Sequence, residues 1–366
     1  MKKPCLGRLP LVCLLPCFVG FTLAAAADEN QSEQEAFDRY FGLKSSNTSS
    51  TDWTGHFSIG AVVGLNINAN FKENGLFTVN GNNPANGIYN DGYVREDSTG
   101  NTGGYTGYWG YDNASQFNAA SQTLNFHSTA SYQATDSGAR DQGGPFPGFD
   151  MVYGGNLYQW QSIGIGWDLG FDLLPMKISD NRPLSATVDQ TTYSYNTGGI
   201  ILPGPGYQGT YGGSGSPVLP GTPTTTTPET GLAGTVTGTR SLDMILYAIR
   251  LGPTFYWNIT KDFSASFGVG PAMGIVSAEY KYDEVITTAT SGVHNSGSFS
   301  GMDVVFGGDV NATLLYHTAD EARPVDLYLT AQYMPLGSAD FSQGGRDGRL
   351  NLSGAVYISA GVNWPF

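Results

Sequence analysis

The amino-acid sequence predicts an all-β fold, a membrane-spanning antiparallel up-and-down β-barrel with long extracellular loops. The first observation is the stretch 350–366, where apolar and polar residues alternate up to the terminal Phe366. A period of two is typical of a strand with two unlike faces. The second is the composition, in which 51 glycines and 21 tyrosines accompany only 13% charged residues. The third is that no later stretch approaches the ~20 apolar residues of a spanning helix, so a membrane-spanning chain of this kind must cross as a barrel.

The segment 1–27 has the pattern of a cleaved signal peptide. Lys2, Lys3 and Arg8 precede a largely apolar run at 9–23, and alanines at 25–27 offer a cleavage site. All three cysteines lie inside this segment, so we expect a mature chain without a thiol or a disulfide. We therefore expect secretion through the inner membrane, and we interpret 28–52 as a polar periplasmic leader.

The charge balance excludes one class of partner. The whole chain has a net charge of −14, and removal of the signal peptide removes three positive charges and no negative ones. A nucleic-acid partner requires a basic face. The sequence therefore predicts no nucleic-acid partner.

The alternation predicts eight spanning strands within the segment 53–366. They lie at 55–71, 149–158, 163–173, 244–257, 263–275, 304–316, 325–333 and 350–366. Two large insertions, at 72–147 and 177–240, separate some of them. Short turns at 159–161, 258–262 and 317–324 then face the periplasm and the long loops face outward, as expected of such barrels. A ten-strand count, which adds 124–132 and 187–195, also gives an even number of strands. It places the shortest turn, 159–161, on the outside.

The alternating strands and the terminal Trp364-Pro365-Phe366 resemble the small bacterial outer-membrane β-barrels, the family of the outer membrane protein A transmembrane domain. The resemblance covers the signal peptide and the strands, and it does not account for the two insertions. It implies that the C-terminal strand carries a signal read by the barrel assembly machinery. The positions that match this signal are Phe366, Trp364, Val362, Ala360 and Ile358.

The predicted strand faces also define a polar interior. Alternation places Arg250 inside the barrel together with Asp168, Asp172 and Asp309. An arginine and carboxylates inside a low-dielectric wall need one another. We expect Arg250 to pair with one of these aspartates. Such a network either plugs the barrel as a packed polar core or gates a narrow ion path.

The sequence offers little support for catalysis or for a cofactor. None of the four histidines has a histidine or cysteine at metal-ligand spacing, so we expect no metal, no cofactor and no enzyme activity. The outer insertions contain aromatic residues among glycines, at Tyr105, Tyr108, Trp109, Tyr111, Tyr207 and Tyr211. Such residues either bind an external glycan or protein ligand or pack the loops against each other.

These predictions lead to one functional expectation. The protein is expected to be an integral outer-membrane barrel of a Gram-negative envelope, in contact with outer-membrane lipid. Its expected role is structural or that of a surface-exposed interaction protein. The alternative is porin-like passive transport of small solutes or ions through the barrel.

Overall fold

The computed structural model describes residues 55–73, 75–134, 139–142, 144–160, 162–212, 217–318 and 325–366. The predicted signal peptide at 1–27 and the predicted leader at 28–52 lie outside the described residues. Of the described backbone, most is antiparallel strand. Within this part of the chain no helix is both long and apolar enough to cross a membrane.

The strands follow each other closely along the chain. Their bounds are β1 Gly55–Leu65, β2 Asn68–Glu73, β3 Phe77–Thr78, β4 Ile88–Tyr89, β5 Gly92–Val94, β6 Tyr105–Thr106, β7 Trp109–Tyr111, β8 Phe117–Asn118, β9 Thr123–Ala134, β10 Ala139–Gln142, β11 Phe146–Trp160, β12 Ile163–Asp180, β13 Leu184–Asn196, β14 Tyr207–Gln208, β15 Leu219–Pro220, β16 Thr225–Asn258, β17 Phe263–Thr287, β18 Gly292–His317, β19 Asp326–Tyr333, β20 Ser338–Gln343, β21 Arg346–Asn351 and β22 Val356–Pro365. Short 3-10 helices lie at Pro84–Asn86, Thr102–Gly104 and Ala114–Gln116.

The long strands pair in a series that returns to its starting point. The antiparallel pairs are β1–β11, β11–β12, β12–β16, β16–β17, β17–β18, β18–β19, β19–β22 and β22–β1. Strands β11, β16 and β18 end, and β12, β17 and β19 begin, at the end where β1 begins and β22 ends. We call this the lower end and the opposite end the upper end.

Side chains on these strands alternate between buried polar and exposed apolar positions. Strand β19 is the clearest case, because every second residue is buried from its first to its last. Leu327 and Leu329 are 50% and 53% exposed, whereas Thr330 and Gln332 are 4% and 3% exposed. A water-soluble sheet buries its apolar face instead. The lower part of the sheet is therefore inverted, with its polar face inside.

The interior changes from polar to apolar toward the upper end. On β12 the buried residues that follow Asp172 are Leu174, Met176 and Ile178. The neighbouring strand β16 shows the same change, with buried apolar residues from Leu242 to Ala248 preceding Arg250. Together with β2, β20 and β21 these strands enclose an apolar cluster, which we call the upper core, formed by Val62, Ile67, Ala69, Phe71, Phe146, Leu174, Met176, Ile178, Leu242, Met244, Leu246, Ala248, Ala272, Val276, Ala278, Tyr280, Val305, Met334, Leu336, Ala339, Phe341, Leu350, Leu352, Ala355 and Tyr357.

The first and last predicted strands are each two strands in the structure. The chain breaks at Asn66, which has a φ of +57°, and Asn66 donates a hydrogen bond from Nδ2 to the carbonyl of Gly354 at 2.8 Å. Gly354 lies in the matching break between β21 and β22. Beyond these breaks the apolar face turns inward, so Ile67 and Leu350 are fully buried. The prediction of continuous outward faces at 55–71 and 350–366 was therefore wrong in the upper halves.

Both insertions contribute strands to the same sheet. Strand β12 extends beyond residue 177, and β16 begins at Thr225 inside the second insertion. Strand β13 pairs with the first part of β16 and with β9, which places both at the upper end. These two strands are the additional ones of the ten-strand count. They extend the sheet at the upper end and take no part in the returning series of pairs.

Candidate functional site

The polar interior is organised around Arg250 on β16. Arg250 Nη1 donates to Asp172 Oδ2 at 3.0 Å and to Gln332 Oε1 at 2.9 Å. Its Nη2 lies 3.4 Å from Oδ1 of Asp150, a residue of β11. Tyr328 donates to the other oxygen of Asp150 at 2.7 Å. The guanidinium thus joins residues of four strands across the interior.

The two other predicted aspartates lie close to this cluster but bind different partners. Asp168 accepts a hydrogen bond from the hydroxyl of Tyr256 at 2.8 Å and lies 3.3 Å from Nε2 of His56. Asp309 accepts a hydrogen bond from Nδ2 of Asn311 at 2.6 Å. The structure therefore brings Asp172 directly onto Arg250 and leaves Asp168 and Asp309 as neighbours.

A cavity of about 180 Å³ lies between this cluster and the lower end. A chain of hydrogen bonds runs along its wall. Ser58 donates to Oδ1 of Asn363 at 2.7 Å, and Nδ2 of Asn363 donates to Asp326 Oδ2 at 2.9 Å. The other oxygen of Asp326 lies 2.8 Å from Nδ1 of His317, whose Nε2 is hydrogen-bonded to Oγ of Ser264. Five side chains from five strands are thus held in one fixed arrangement.

The residues of the predicted assembly signal lie on the outer face of β22 and at its end. Trp364 stacks on Phe57 with ring centroids 6.2 Å apart, and Phe366 stacks on Tyr153 at 6.3 Å. The backbone of Phe366 exchanges two hydrogen bonds with Gly55, at 2.8 and 2.9 Å. Ile358, Ala360 and Trp364 are exposed and Val362 is half-buried. The terminal residues therefore join the last strand to the first along an apolar outer surface.

The aromatic residues of the insertions divide into two groups. Trp109 and Tyr111 are buried in a cluster of residues from both insertions, as the packing interpretation expects. Tyr108 remains partly exposed and makes edge contacts with the rings of Tyr93 and Tyr211 at 5.3 and 6.1 Å. The guanidinium of Arg95 lies 5.2 Å from the ring centroid of Tyr108. We call Tyr93, Arg95, Tyr108 and Tyr211 the aromatic patch.

A second buried charge cluster lies at the upper end. Arg346 is placed between the rings of Phe77 and Tyr282, with 4.0 and 3.7 Å from its Cζ to the two centroids. Its Nη2 lies 3.1 Å from Glu284 Oε2, and its Nε lies 3.4 Å from Glu73 Oε1. Burial raises the pKa of Glu73 to about 8, and Glu284 adds to the rise through a hydrogen bond and its charge. This cluster fixes β2 and β21 to β17.

Acidic residues do not gather into a metal site in the part of the chain that the structure describes. No group of three His, Cys, Asp or Glu side chains is arranged there to hold a metal ion. The charged groups of both clusters instead contact arginine, tyrosine or amide partners.

Two parts of the site were missed from the sequence. Asp150 occupies an inward position of its alternating strand, so the alternation itself could have identified it. The Ser264–His317–Asp326 contact has no such signal, because its members lie 53 and 9 residues apart on three strands. Only the pairing of those strands brings the three side chains together.

No protein-family model matches the chain, and no curated protein matches it. Among solved structures it is similar to Ail, the attachment invasion locus protein of Yersinia pestis, in complex with the heparin analogue sucrose octasulfate. That match has 10% identity, a TM-score of 0.26 and coverage of 86% of this chain and 100% of the other. It is also similar to the outer membrane protease OmpT from Escherichia coli, with 10% identity, a TM-score of 0.32 and coverage of 87% and 99%.

A third similar structure is a Pseudomonas aeruginosa FadL homologue, with 10% identity, a TM-score of 0.18 and coverage of 86% and 90%. These structures are bacterial outer-membrane β-barrel proteins. Identities and TM-scores of this size assign no ligand and no activity to this chain. The prediction of no enzyme activity is nevertheless corrected. An outer membrane protease is among the similar structures, so enzyme activity is not excluded for this chain.

Proposed function

We propose that the chain is an integral protein of the bacterial outer membrane, an eight-stranded closed barrel that serves as a scaffold for a folded extracellular module. The observation that carries this proposal is the inverted lower part of the sheet. Its outward residues are large and apolar, as at Phe267, Val269, Val310 and Leu314, which are 45–56% exposed. Its inward residues are charged or polar.

An apolar outer face over a polar interior is stable when the outer face contacts lipid. Burial of one Leu, Val or Phe side chain away from water stabilises a protein by about 1.5–3 kcal/mol. An apolar surface that runs over many strands is typical of a membrane-facing or protein-facing surface. A closed set of strands leaves no unpaired edge in the hydrocarbon, which is the condition for spanning it without helices. The apolar outer face and the returning series of pairs therefore support the same location.

The interior supports a closed barrel rather than a transport channel. A barrel of eight strands has room for its own side chains or for one small ligand. Here the Arg250 cluster crosses the interior, and the upper core lies directly beyond it. A solute on a path through the barrel would have to displace both a buried ion pair and an apolar cluster. This favours the structural role over passive transport.

The extracellular part supports a role in surface interaction. In the proposed orientation, both chain ends of the barrel face the periplasm and the upper end faces outward. The aromatic patch lies on this upper module and combines partly exposed tyrosine rings with a guanidinium. Such a surface suits a glycan or protein ligand, because tyrosine offers an apolar ring with a polar hydroxyl.

The resemblance of the C-terminal strand supports delivery by the barrel assembly machinery. The outward row Phe366, Trp364, Val362, Ala360 and Ile358 remains accessible along the outer face except where rings stack on it. We propose that the machinery binds this row before the strand closes against β1.

Conductance in planar bilayers tests the closed barrel. The wild-type protein is expected to form no steady channel, and Arg250→Ala is also expected to form none because the upper core remains. Steady channels in the wild-type protein would contradict the closed barrel and would support passive transport instead.

Binding by intact cells tests the surface role. Cells that display the protein are incubated with arrays of glycans and extracellular-matrix proteins. We expect Tyr108→Ala/Tyr211→Ala to lose a ligand that the wild type retains, while Tyr105→Ala, an exposed tyrosine outside the patch, keeps it. An equal pattern for all three proteins would contradict a role for the aromatic patch.

A further inference from the structure

The wall of the lower cavity contains a serine, a histidine and an aspartate in a linear hydrogen-bonded order. We propose that Ser264, His317 and Asp326 form a nucleophilic site that hydrolyses small carboxylic esters. This proposal rests on the proposed function only for the side from which the substrate enters, since the lower end of the barrel would face the periplasm. The chemistry of the site rests on its own geometry.

The hydrogen bonds fix the roles of the three side chains. Asp326 Oδ1 lies 2.8 Å from His317 Nδ1 and accepts the proton on that nitrogen. In the neutral imidazole the other nitrogen, Nε2, is then an acceptor. Nε2 is hydrogen-bonded to Oγ of Ser264, so the hydroxyl proton points at the base that would remove it. A serine, a base and an orienting carboxylate in this order are the parts of an activated nucleophile.

The support behind the triad is rigid. Asp326 lies opposite both His317 on β18 and Asn363 on β22 in the strand register. Nδ2 of Asn363 donates to Oδ2 of Asp326 at 2.9 Å, and Oδ1 of Asn363 accepts a hydrogen bond from Ser58 at 2.7 Å. The carboxylate is therefore fixed from two sides. Side chains held on strands by such partners keep a catalytic arrangement more accurately than side chains on loops.

The cavity sets the size of the substrate. Its volume of about 180 Å³ is close to the ~150 Å³ of an engineered protein cavity that binds benzene. Ser264 and His317 both line it, so a small acyl group inside the cavity lies beside the nucleophile. Long acyl chains exceed this space because the Arg250 cluster lies at the inner end. The site thus favours esters of short acids.

Asn258 is the candidate donor for the developing oxyanion. Asn258 lies directly opposite Ser264 in the register of β16 and β17 and lines the same cavity. Opposed residues on one face have Cβ atoms about 4.5–5.5 Å apart. An asparagine amide at that separation suits the stabilisation of a tetrahedral intermediate.

The reaction proceeds in two balanced steps. Ser264 Oγ bonds to the ester carbonyl carbon while its proton passes to His317 Nε2. The bond from carbon to the alkoxy oxygen then breaks, and the alcohol leaves with the proton from His317. A water molecule next attacks the acyl-serine while His317 takes its proton. The bond between the acyl carbon and Ser264 Oγ then breaks, the acid is released, and Ser264 Oγ recovers its proton from His317.

Active-site labelling of the full mature protein in detergent tests the proposal. A small fluorophosphonate is added, the adduct is located by mass spectrometry, and hydrolysis of 4-nitrophenyl acetate is followed in parallel. We expect the adduct on Ser264 and its loss in Ser264→Ala. His317→Gln is expected to lower the labelling rate at least about 100-fold, the lower range of general-base contributions. Ser266→Ala removes a second buried serine of the same strand and is expected to label like the wild type.

The outcomes separate a nucleophile from a polar wall. No adduct on Ser264 in correctly folded wild-type protein would overturn the proposal, as would equal labelling of wild type and His317→Gln. Folding of each variant is checked by circular dichroism and by the heat-dependent shift in electrophoretic mobility of a folded barrel. Labelling in detergent does not depend on membrane location. A failure of the proposed function would therefore appear in the bilayer and cell-binding experiments and leave the Ser264 adduct unchanged.

Discussion

Arg250 contacts two buried carboxyl side chains in the lower interior. Asp150 and Asp172 contact it directly at 3.4 and 3.0 Å, and all three side chains are almost fully buried. Charges buried in this way are retained only when they are paired and hydrogen-bonded. The guanidinium is thus the group on which the two aspartates depend.

Replacement of Arg250 by alanine is expected to destabilise the protein strongly. Removal of one partner of a buried pair leaves an uncompensated charge and costs about 3–5 kcal/mol of the free energy of unfolding. Lys281→Ala, which removes an exposed lysine 2.7 Å from Asp243, is the matched control and should cost at most about 1 kcal/mol. Urea unfolding of both variants in lipid vesicles measures the difference. Equal losses would show that the Arg250 cluster does not stabilise the interior.

Glu73 makes stability depend on pH in the opposite sense to a carboxylate whose pKa is lowered by folding. Burial raises its pKa from 4.5 to about 8, so the folded protein holds this proton more tightly than the unfolded chain. The contribution is complete below about pH 4.5 and is lost as the pH rises to about 8. The slope is at most about 1.4 kcal/mol per pH unit.

Glu73→Gln is expected to remove this part of the pH dependence, because glutamine stays neutral at every pH. The free energy of unfolding is measured between pH 5 and pH 8 for the wild type, for Glu73→Gln and for Glu96→Gln, which changes an exposed loop residue. The wild type and Glu96→Gln should lose stability more steeply with rising pH than Glu73→Gln. Identical slopes for all three would contradict the protonation of Glu73 in the folded protein.

Alternation along one strand predicts which residues share a face, but it does not predict their partners. Alternation placed Arg250, Asp168, Asp172 and Asp309 on inward faces. The partners depend on the relative height of neighbouring strands, which alternation along one strand does not report. Arg250 therefore contacts Asp150 from β11, while Asp168 contacts Tyr256 from β16.

At the scale of strands, the breaks at the ends of β1 and β22 decide where the polar interior ends. Asn66 adopts a left-handed backbone conformation with φ of +57°, which asparagine tolerates better than branched residues do. The break reverses the inward face, so Ile67 enters the upper core. An alternating sequence does not show such a reversal, because the residues on both sides remain apolar at every second position.

Asn66→Val is expected to be less stable than Asn66→Gly. Both variants lose the 2.8 Å hydrogen bond to Gly354. The difference between their free energies of unfolding therefore reports the cost of the left-handed backbone conformation. The left-handed conformation costs a residue with Cβ about 1–2 kcal/mol. Chemical unfolding of the two variants gives this difference directly. A valine variant as stable as the glycine variant would contradict the left-handed conformation at this position.

The long upper extensions of β16, β17 and β18 were not predicted at their observed length. They run over 34, 25 and 26 residues, well beyond the ~9–11 that span a membrane. Their upper parts are rich in threonine, serine and glycine, which are typical of loops as well as of exposed strands. Only pairing with β13 and with each other shows that these residues form strands.

At the scale of the whole molecule, two different interiors lie inside one sheet. The lower interior is polar under an apolar outer face, and the upper interior is apolar. The first arrangement suits lipid and the second suits water, so in the proposed barrel the change of interior marks the outer boundary of the membrane. Composition and the period of two predict the lower arrangement. They do not predict the upper one, because alternation does not show where along a strand the surroundings change from lipid to water.

The proposed barrel predicts a specific pattern of solvent access along β19. Cysteines occur only at 5, 13 and 17, inside the predicted signal peptide, so single cysteines at 327–332 can carry nitroxide labels without competing thiols. Electron paramagnetic resonance then measures collisions with oxygen, which concentrates in lipid, and with a water-soluble nickel chelate. Labels at 327, 329 and 331 should collide with oxygen and not with nickel, whereas labels at 328, 330 and 332, which face the interior, should collide with oxygen much less. Free access of nickel to 327 and 329, or no period of two, would contradict a lipid-facing barrel.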